Sequence, residues 1–180
     1  MKQALLIIDV QNDYFPQGKK PLFQPKKALA NINRLEQYFI SHQQPILYIQ
    51  HIKNKPHPDF FEAGTNGVLL HPNLNCQSDS LVIEKHYPNS FLETTLTQTL
   101  QQFEIEQLVI TGMMTHMCVD STTRAAAEFD YKPILIADAT ATCDLFWQGQ
   151  LTSAPQVQTA YLAALQNFAT VINTEQFINI

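Results

Sequence analysis

The chain is short of basic charge: 11 lysines and arginines face 16 aspartates and glutamates, a formal net charge of −5 over 180 residues. A sequence-independent nucleic-acid binder needs clustered Lys and Arg to neutralise phosphates, so this balance points to a small-molecule partner and away from nucleic acid. Long apolar runs are missing as well. The first one, Ala4–Ile8 in MKQALLIIDV, is closed by Asp9 and is too short for a signal-peptide core or a membrane span, so a cytoplasmic protein without a membrane partner is expected. Cys76, Cys118 and Cys143 are an odd number without CxxC spacing, which suits neither a disulfide framework nor a zinc knuckle. With no repeat, low-complexity tract or linker in view, a single domain over residues 1–180 is expected, and a hydrophobic content of 45% is enough for a substantial core.

What is there is alternation. Short β-branched or Leu-rich runs recur at Ala4–Ile8, Ile46–Ile49, Leu81–Ile83, Leu108–Thr111, Ile134–Ala137 and Ala169–Ile172. They read as strands buried on both faces. Between them, apolar residues repeat at three and four positions over Lys26–His42, Phe91–Phe103, His116–Phe129 and Ser153–Phe168, the helical period. Strand and helix in turn predict a doubly wound α/β domain on a parallel sheet. Two stretches break the pattern, Asn12–Pro25 and Lys53–Ser80, and connections of that length are usually functional or pack as lids.

In parallel α/β sheets ligands collect beyond the carboxyl ends of the strands, so the polar residues that follow each apolar run are the candidates. Asp9 ends the first run in LLIIDVQNDYF, Lys85 ends the third in LVIEKHYPNSF, and Cys118 follows the fourth in LVITGMMTHMCVDSTTRAAAEF. A thiol in the first turn of a helix sits near free N–H groups, which are expected to favour its thiolate and to hold an oxyanion. Asp9 would act as base, with Lys85 keeping it ionised and oriented. Viewed singly, each has a plainer reading: a buried cysteine, a loop-anchoring aspartate, a solvated lysine. Their shared position at one sheet edge is what sets them apart.

The segments IIDVQNDYF, EKHYPNSF and GMMTHMCVDSTTRAA, with AGTNGVLLHPNL before the third strand, together resemble the isochorismatase-like cysteine hydrolases over nearly the whole chain. That resemblance implies a three-layer α/β/α fold with six parallel strands in the order 3-2-1-4-5-6 and an Asp9–Lys85–Cys118 triad. It also implies an oxyanion hole from the N–H groups of Met114 and Cys118, with a cis Met113–Met114 peptide. Tyr14 and Phe91 fall where relatives line the substrate pocket, Gln11 is expected to fix the loop after Asp9, and His116 is expected at the pocket edge or an interface. Relatives are commonly oligomers, so a homodimer or homotetramer is expected.

The chain departs from metal-dependent nicotinamidases after the second strand. In YIQHIKNKPHPDF, His51 stands near their aspartate and Lys53 near their first histidine, and an ammonium has no lone pair for a metal. His57 and His71 lack a ligand spacing, so no metal and no other cofactor are expected. Unlike vinyl-ether-cleaving isochorismatases the chain keeps the cysteine, which favours hydrolysis of an amide or ureido C–N bond through a Cys118 thioester. Pyruvate release from an isochorismate-type vinyl ether is the alternative, and a non-catalytic binding protein on the same fold is the third.

Overall fold

Apolar runs separated by amphipathic stretches bury their surface best as a sheet between two helical layers. The computed structural model of the protein describes residues 1–179. Its strands are β1 (Gln3–Ile8), β2 (Ile46–His51), β3 (Leu81–Lys85), β4 (Gln107–Met113), β5 (Ile134–Ala141), β6 (Leu145–Trp147), β7 (Gln150–Thr152) and β8 (Thr170–Ile172). Six form one parallel sheet in the order β3-β2-β1-β4-β5-β8, while β6 and β7 pair antiparallel as a separate hairpin. This is the expected order of six strands, with the hairpin inserted before the last.

The helices are α1 (Pro25–Ser41), α2 (Leu96–Gln102), α3 (Asp120–Glu128), α4 (Ala154–Leu165) and α5 (Thr174–Ile178). Strand period decides which layer each residue meets. Leu5 and Ile7 of β1 share one core with Leu29 and Ile32 of α1 and Phe177 of α5. Ala4, Leu6 and Ile8 share the other with Leu96 and Leu100 of α2, Ala126 of α3 and Leu165 of α4. Each fully buried Leu or Ile contributes roughly 1.5–3 kcal/mol relative to exposure, which is why this central strand is apolar from Ala4 to Ile8.

α2 is shorter than the periodicity of Phe91–Phe103 predicts. Local side-chain bonds hold its first residues in a turn: Phe91 N–H donates to Asn89 Oδ1 at 2.9 Å, Thr94 Oγ1 donates to Ser90 O at 2.6 Å, and Glu93 has a φ of +53°. Asn, Ser and Thr compete with a helix in this way. β4 approaches β1 closely because residue 112 is glycine. It pairs with Ile8 at a φ of +120°, and a Cβ there would collide with the Ile8 carbonyl oxygen.

The two long connections fold onto each other beyond the carboxyl ends of β1 and β2. Asp13 is buried in a 3₁₀ turn (Asn12–Tyr14), where Oδ1 accepts from Lys19 N at 3.0 Å and Oδ2 from Phe61 N at 2.7 Å. Gln11 crosses the same gap. It donates to His51 O at 2.9 Å and Val68 O at 2.7 Å, and accepts from His51 N at 2.9 Å. The loops therefore form a fixed rim over the strand ends.

Candidate active site

Sheet register brings four polar side chains together. His51 and Lys85 are paired at the ends of β2 and β3, and Asp9 N–H, one residue beyond β1, donates to Ile49 O at 3.1 Å. Asp9 has a φ of +52°, a left-handed conformation that Asp tolerates better than most residues and that clusters at functional sites. After β4 the chain passes through a cis Met113–Met114 peptide into a π-helical turn, Thr115–Val119, that carries Cys118. Such turns are frequent at functional sites.

Lys85 Nζ lies 2.8 Å from Asp9 Oδ2, 3.1 Å from His51 Nδ1 and 3.1 Å from Tyr87 O. Cys118 Sγ is 3.6 Å from His51 Nδ1 and shares the cluster with Asp9: one carboxylate oxygen, one ring nitrogen and the sulfur all lie within 4.8 Å of one another. All four side chains are buried, yet Asp9 Oδ1 accepts no hydrogen bond from the described residues. An unpartnered buried carboxylate oxygen is costly unless it has work to do.

Charge follows from these contacts. Burial alone would raise the Asp9 carboxyl, but the Lys85 ammonium, with His51, holds it below the usual range. Burial alone would lower Lys85, but Asp9 and Cys118 raise it, so it stays an ammonium. The thiol is a correction. The turn was expected to favour the thiolate, whereas burial, reinforced by the Asp9 carboxylate, pushes Cys118 well above its ordinary value and Lys85 offsets only part of this. At rest Cys118 is a thiol beside a carboxylate.

Cys118 and His51 open onto a cavity of about 390 Å³, lined also by Tyr14, Phe60, Tyr87, Pro88, Met114 and Met117, while Asp9 and Lys85 lie fully buried behind them. Lys53 is on its wall, 3.2 Å above the Phe60 ring and 2.6 Å from Asp59 Oδ1. Tyr14 is thus placed in the pocket; three other sequence candidates are not. Phe91 packs against Phe129 and Tyr131, ring centres 5.1 and 5.8 Å away, because the turn after Asn89 aims it into the core. His116 faces away from the cavity, its Nδ1 2.6 Å from Thr142 Oγ1. Gln11 is fully buried beneath the rim, its amide spent on His51 and Val68. Sequence reasoning missed His51, Phe60, Tyr87 and Met117; the available signal was that His51 and Tyr87 fall at or just after strand ends.

The isochorismatase domain profile matches residues 3–176. The chain belongs to the isochorismatase family. Isochorismatase family protein YddQ of Bacillus subtilis is 41% identical over 99% of both chains. A solved isochorismatase-type structure from Oleispira antarctica has a TM-score of 0.95 at 36% identity, covering 99% of this chain and 97% of that one. Streptothricin hydrolase of Streptomyces noursei is 27% identical, covering 93% of this chain and 57% of its own. The geometry of this isochorismatase-family hydrolase also bears on whether its site could hold a metal ion. Asp9, His51 and Cys118 are close enough to share a cation, but the Lys85 ammonium already stands within 3.1 Å of Asp9 and His51. A metal would have to displace it, so the donor set does not fit one.

Proposed function

We propose that the protein hydrolyses a C–N bond of a small amide or ureide, with Cys118 as nucleophile and Asp9 as the group that takes and returns the proton. The observation that carries this reading is the free Asp9 Oδ1, buried beside the Cys118 thiol while Lys85 occupies Oδ2. Because the thiol is raised and the carboxyl lowered, a free thiolate is a minor species. Proton transfer to Asp9 is therefore coupled to attack of Sγ on the carbonyl carbon, which moves the negative charge onto the substrate oxygen.

That oxyanion needs donors. The N–H of Met114 has no acceptor among the described residues, and with the N–H of Cys118 it serves as the oxyanion hole in this reading. Collapse expels the amine or ammonia with the proton from Asp9 and leaves a Cys118 thioester. Water then attacks as Asp9 takes its proton, and the carboxylic product departs as the thiol is restored. A cytoplasmic location and a homo-oligomeric state belong to the same reading.

The test is a mass-spectrometric screen of small amides and ureides for released amine or ammonia, with Cys118→Ala and Cys118→Ser as controls. Turnover that both variants lose is expected; full activity in the Ala variant overturns the reading. Pyruvate released from isochorismate by the Ala variant would replace it with vinyl-ether cleavage.

A further inference from the structure

The mechanism above leaves His51 unused, although it is as buried as the residues around it. An ammonium has three protons and no lone pair. Lys85 meets three acceptors, Asp9 Oδ2, Tyr87 O and His51 Nδ1. The third contact is a hydrogen bond only if Nδ1 presents its lone pair, which puts the proton of the neutral ring on Nε2. Nδ1 also lies 3.6 Å from Cys118 Sγ and 3.5 Å from Asp9 Oδ2, but the ammonium is nearer than either and can only donate, so the lone pair faces Lys85. Gln11 clamps the His51 backbone through both its N–H and its carbonyl, and the Phe61 ring lies against the imidazole with ring centres 5.8 Å apart.

We propose that His51 is a positioning residue for Lys85: its Nδ1 takes the third ammonium proton and fixes the cation between Asp9 and Cys118. Without that acceptor, Lys85 keeps an unpaired donor in a buried site and is free to swing toward Tyr87 O, away from the sulfur. The positive charge that supports the developing thiolate then weakens. The proposal rests on Cys118 as the reacting group, though its readout requires no substrate.

The test uses the geometry of two amides. In His51→Asn the side-chain oxygen sits where Nδ1 sits and still accepts from Lys85; in His51→Gln the amide lies where Nε2 sits and does not. His51→Ala removes both. The measurement is the rate of iodoacetamide alkylation at Cys118, followed by peptide mass spectrometry so that Cys76 and Cys143 do not interfere, at several pH values on folded protein.

Ala and Gln variants are expected to react about tenfold more slowly than the parent at a given pH, equivalent to a rise of about one unit in the thiol pKa. The Asn variant is expected within about threefold of the parent, a difference of roughly half a unit. A merely space-filling histidine would give three variants that fall together. That outcome, or an Ala variant with the parent's pH profile, overturns the proposal. Failure of the hydrolase reading looks different: Cys118→Ala would keep turnover, while the ordering of these alkylation rates would stand.

Discussion

Lys85 Nζ lies 2.8 Å from Asp9 Oδ2 with neither side chain exposed at all. A buried ion pair of this kind is weak support for stability as a pair, but each partner depends on the other. Lys85→Met is expected to cost roughly 3–5 kcal/mol because it leaves a buried carboxylate uncompensated. Asp9→Leu combined with Lys85→Met should recover most of that while remaining inactive. Urea unfolding of the parent, the single variant and the double variant checks this. The pH dependence gives a second handle. In the parent the Asp9 carboxyl is lowered, so its contribution is present above the unfolded carboxyl range and is lost as pH falls through the folded value. In Lys85→Met burial is opposed only by the smaller lowering contacts to His51 and Cys118, so the carboxyl is expected to be raised, and acidification from neutral pH should stabilise the variant.

The thiol makes a prediction that runs against intuition. Burial first, then the Asp9 carboxylate, raises Cys118, and Lys85 lowers it only in part. Alkylation at neutral pH should therefore be slower than that of a small-molecule thiol and should climb as pH rises. Asp9→Asn removes the carboxylate and keeps the ammonium. It is expected to abolish turnover while making Cys118 react faster than in the parent, by up to about tenfold for each unit of pKa that falls. A variant slowed in both assays would refute the charge account.

How much of this was legible in the sequence depends on the range of the interaction. β1 could be read directly, since Ala4–Ile8 are fully buried on both faces and an uninterrupted apolar run is what that requires. Asp9, Lys85 and Cys118 could be read because strand ends announce themselves. In the sequence His51 stands out only as a potential metal ligand, because 34 residues separate it from Lys85 and only the β2–β3 register places the two side by side. The hairpin of β6 and β7 was missed for a local reason: three-residue strands are too short to show a period. Its signal was the two-residue loop Gln148–Gly149, both at positive φ (+47° and +79°), the turn geometry that suits a tight hairpin.

Glu36 is a buried carboxylate with a separate role. Its Oε1 accepts from Tyr48 OH at 2.7 Å and Asn75 N at 2.9 Å, tying α1 to β2 and the second long loop, while Oε2 is buried without a partner among the described residues. Burial raises its pKa, and the two donors offset this only partly. A raised folded value means that the native state binds the proton more tightly than the unfolded chain, so stability falls as pH rises through that range. Glu36→Gln keeps an oxygen for both donors and removes the charge. It should be more stable than the parent at neutral pH, with the difference vanishing at acid pH, as thermal melts across that range would record.

Gly112 tests the strand junction. At a φ of +120°, with no room for a Cβ beside the Ile8 carbonyl, alanine must both strain the backbone and push β4 from β1. Each effect costs about 1–3 kcal/mol, so Gly112→Ala should lose at least about 2 kcal/mol in denaturant unfolding. Because Gly112 lies just before the turn that carries Cys118, kcat should drop more than stability alone explains. An Ala variant with parental stability would mean that the close approach of β1 and β4 is not required.

The homo-oligomer proposed above can be read from a single side chain. Trp147 is the only tryptophan of the chain, and it stands 75% exposed at the tip of the hairpin, next to Phe146 at 73% and near Leu151 at 55%. A two-stranded hairpin alone is marginal in water, and three large apolar side chains on it gain most from being covered. If a second copy covers them, Trp147 fluorescence will be blue-shifted at high protein concentration and will move to the red on dilution, in step with the mass seen by light scattering. Trp147→Ser with Phe146→Ser should then lower the mass and leave the unfolding transition of the dissociated chain unchanged. A red emission maximum independent of concentration, in a protein whose mass is still that of an oligomer, would place the contact on another face.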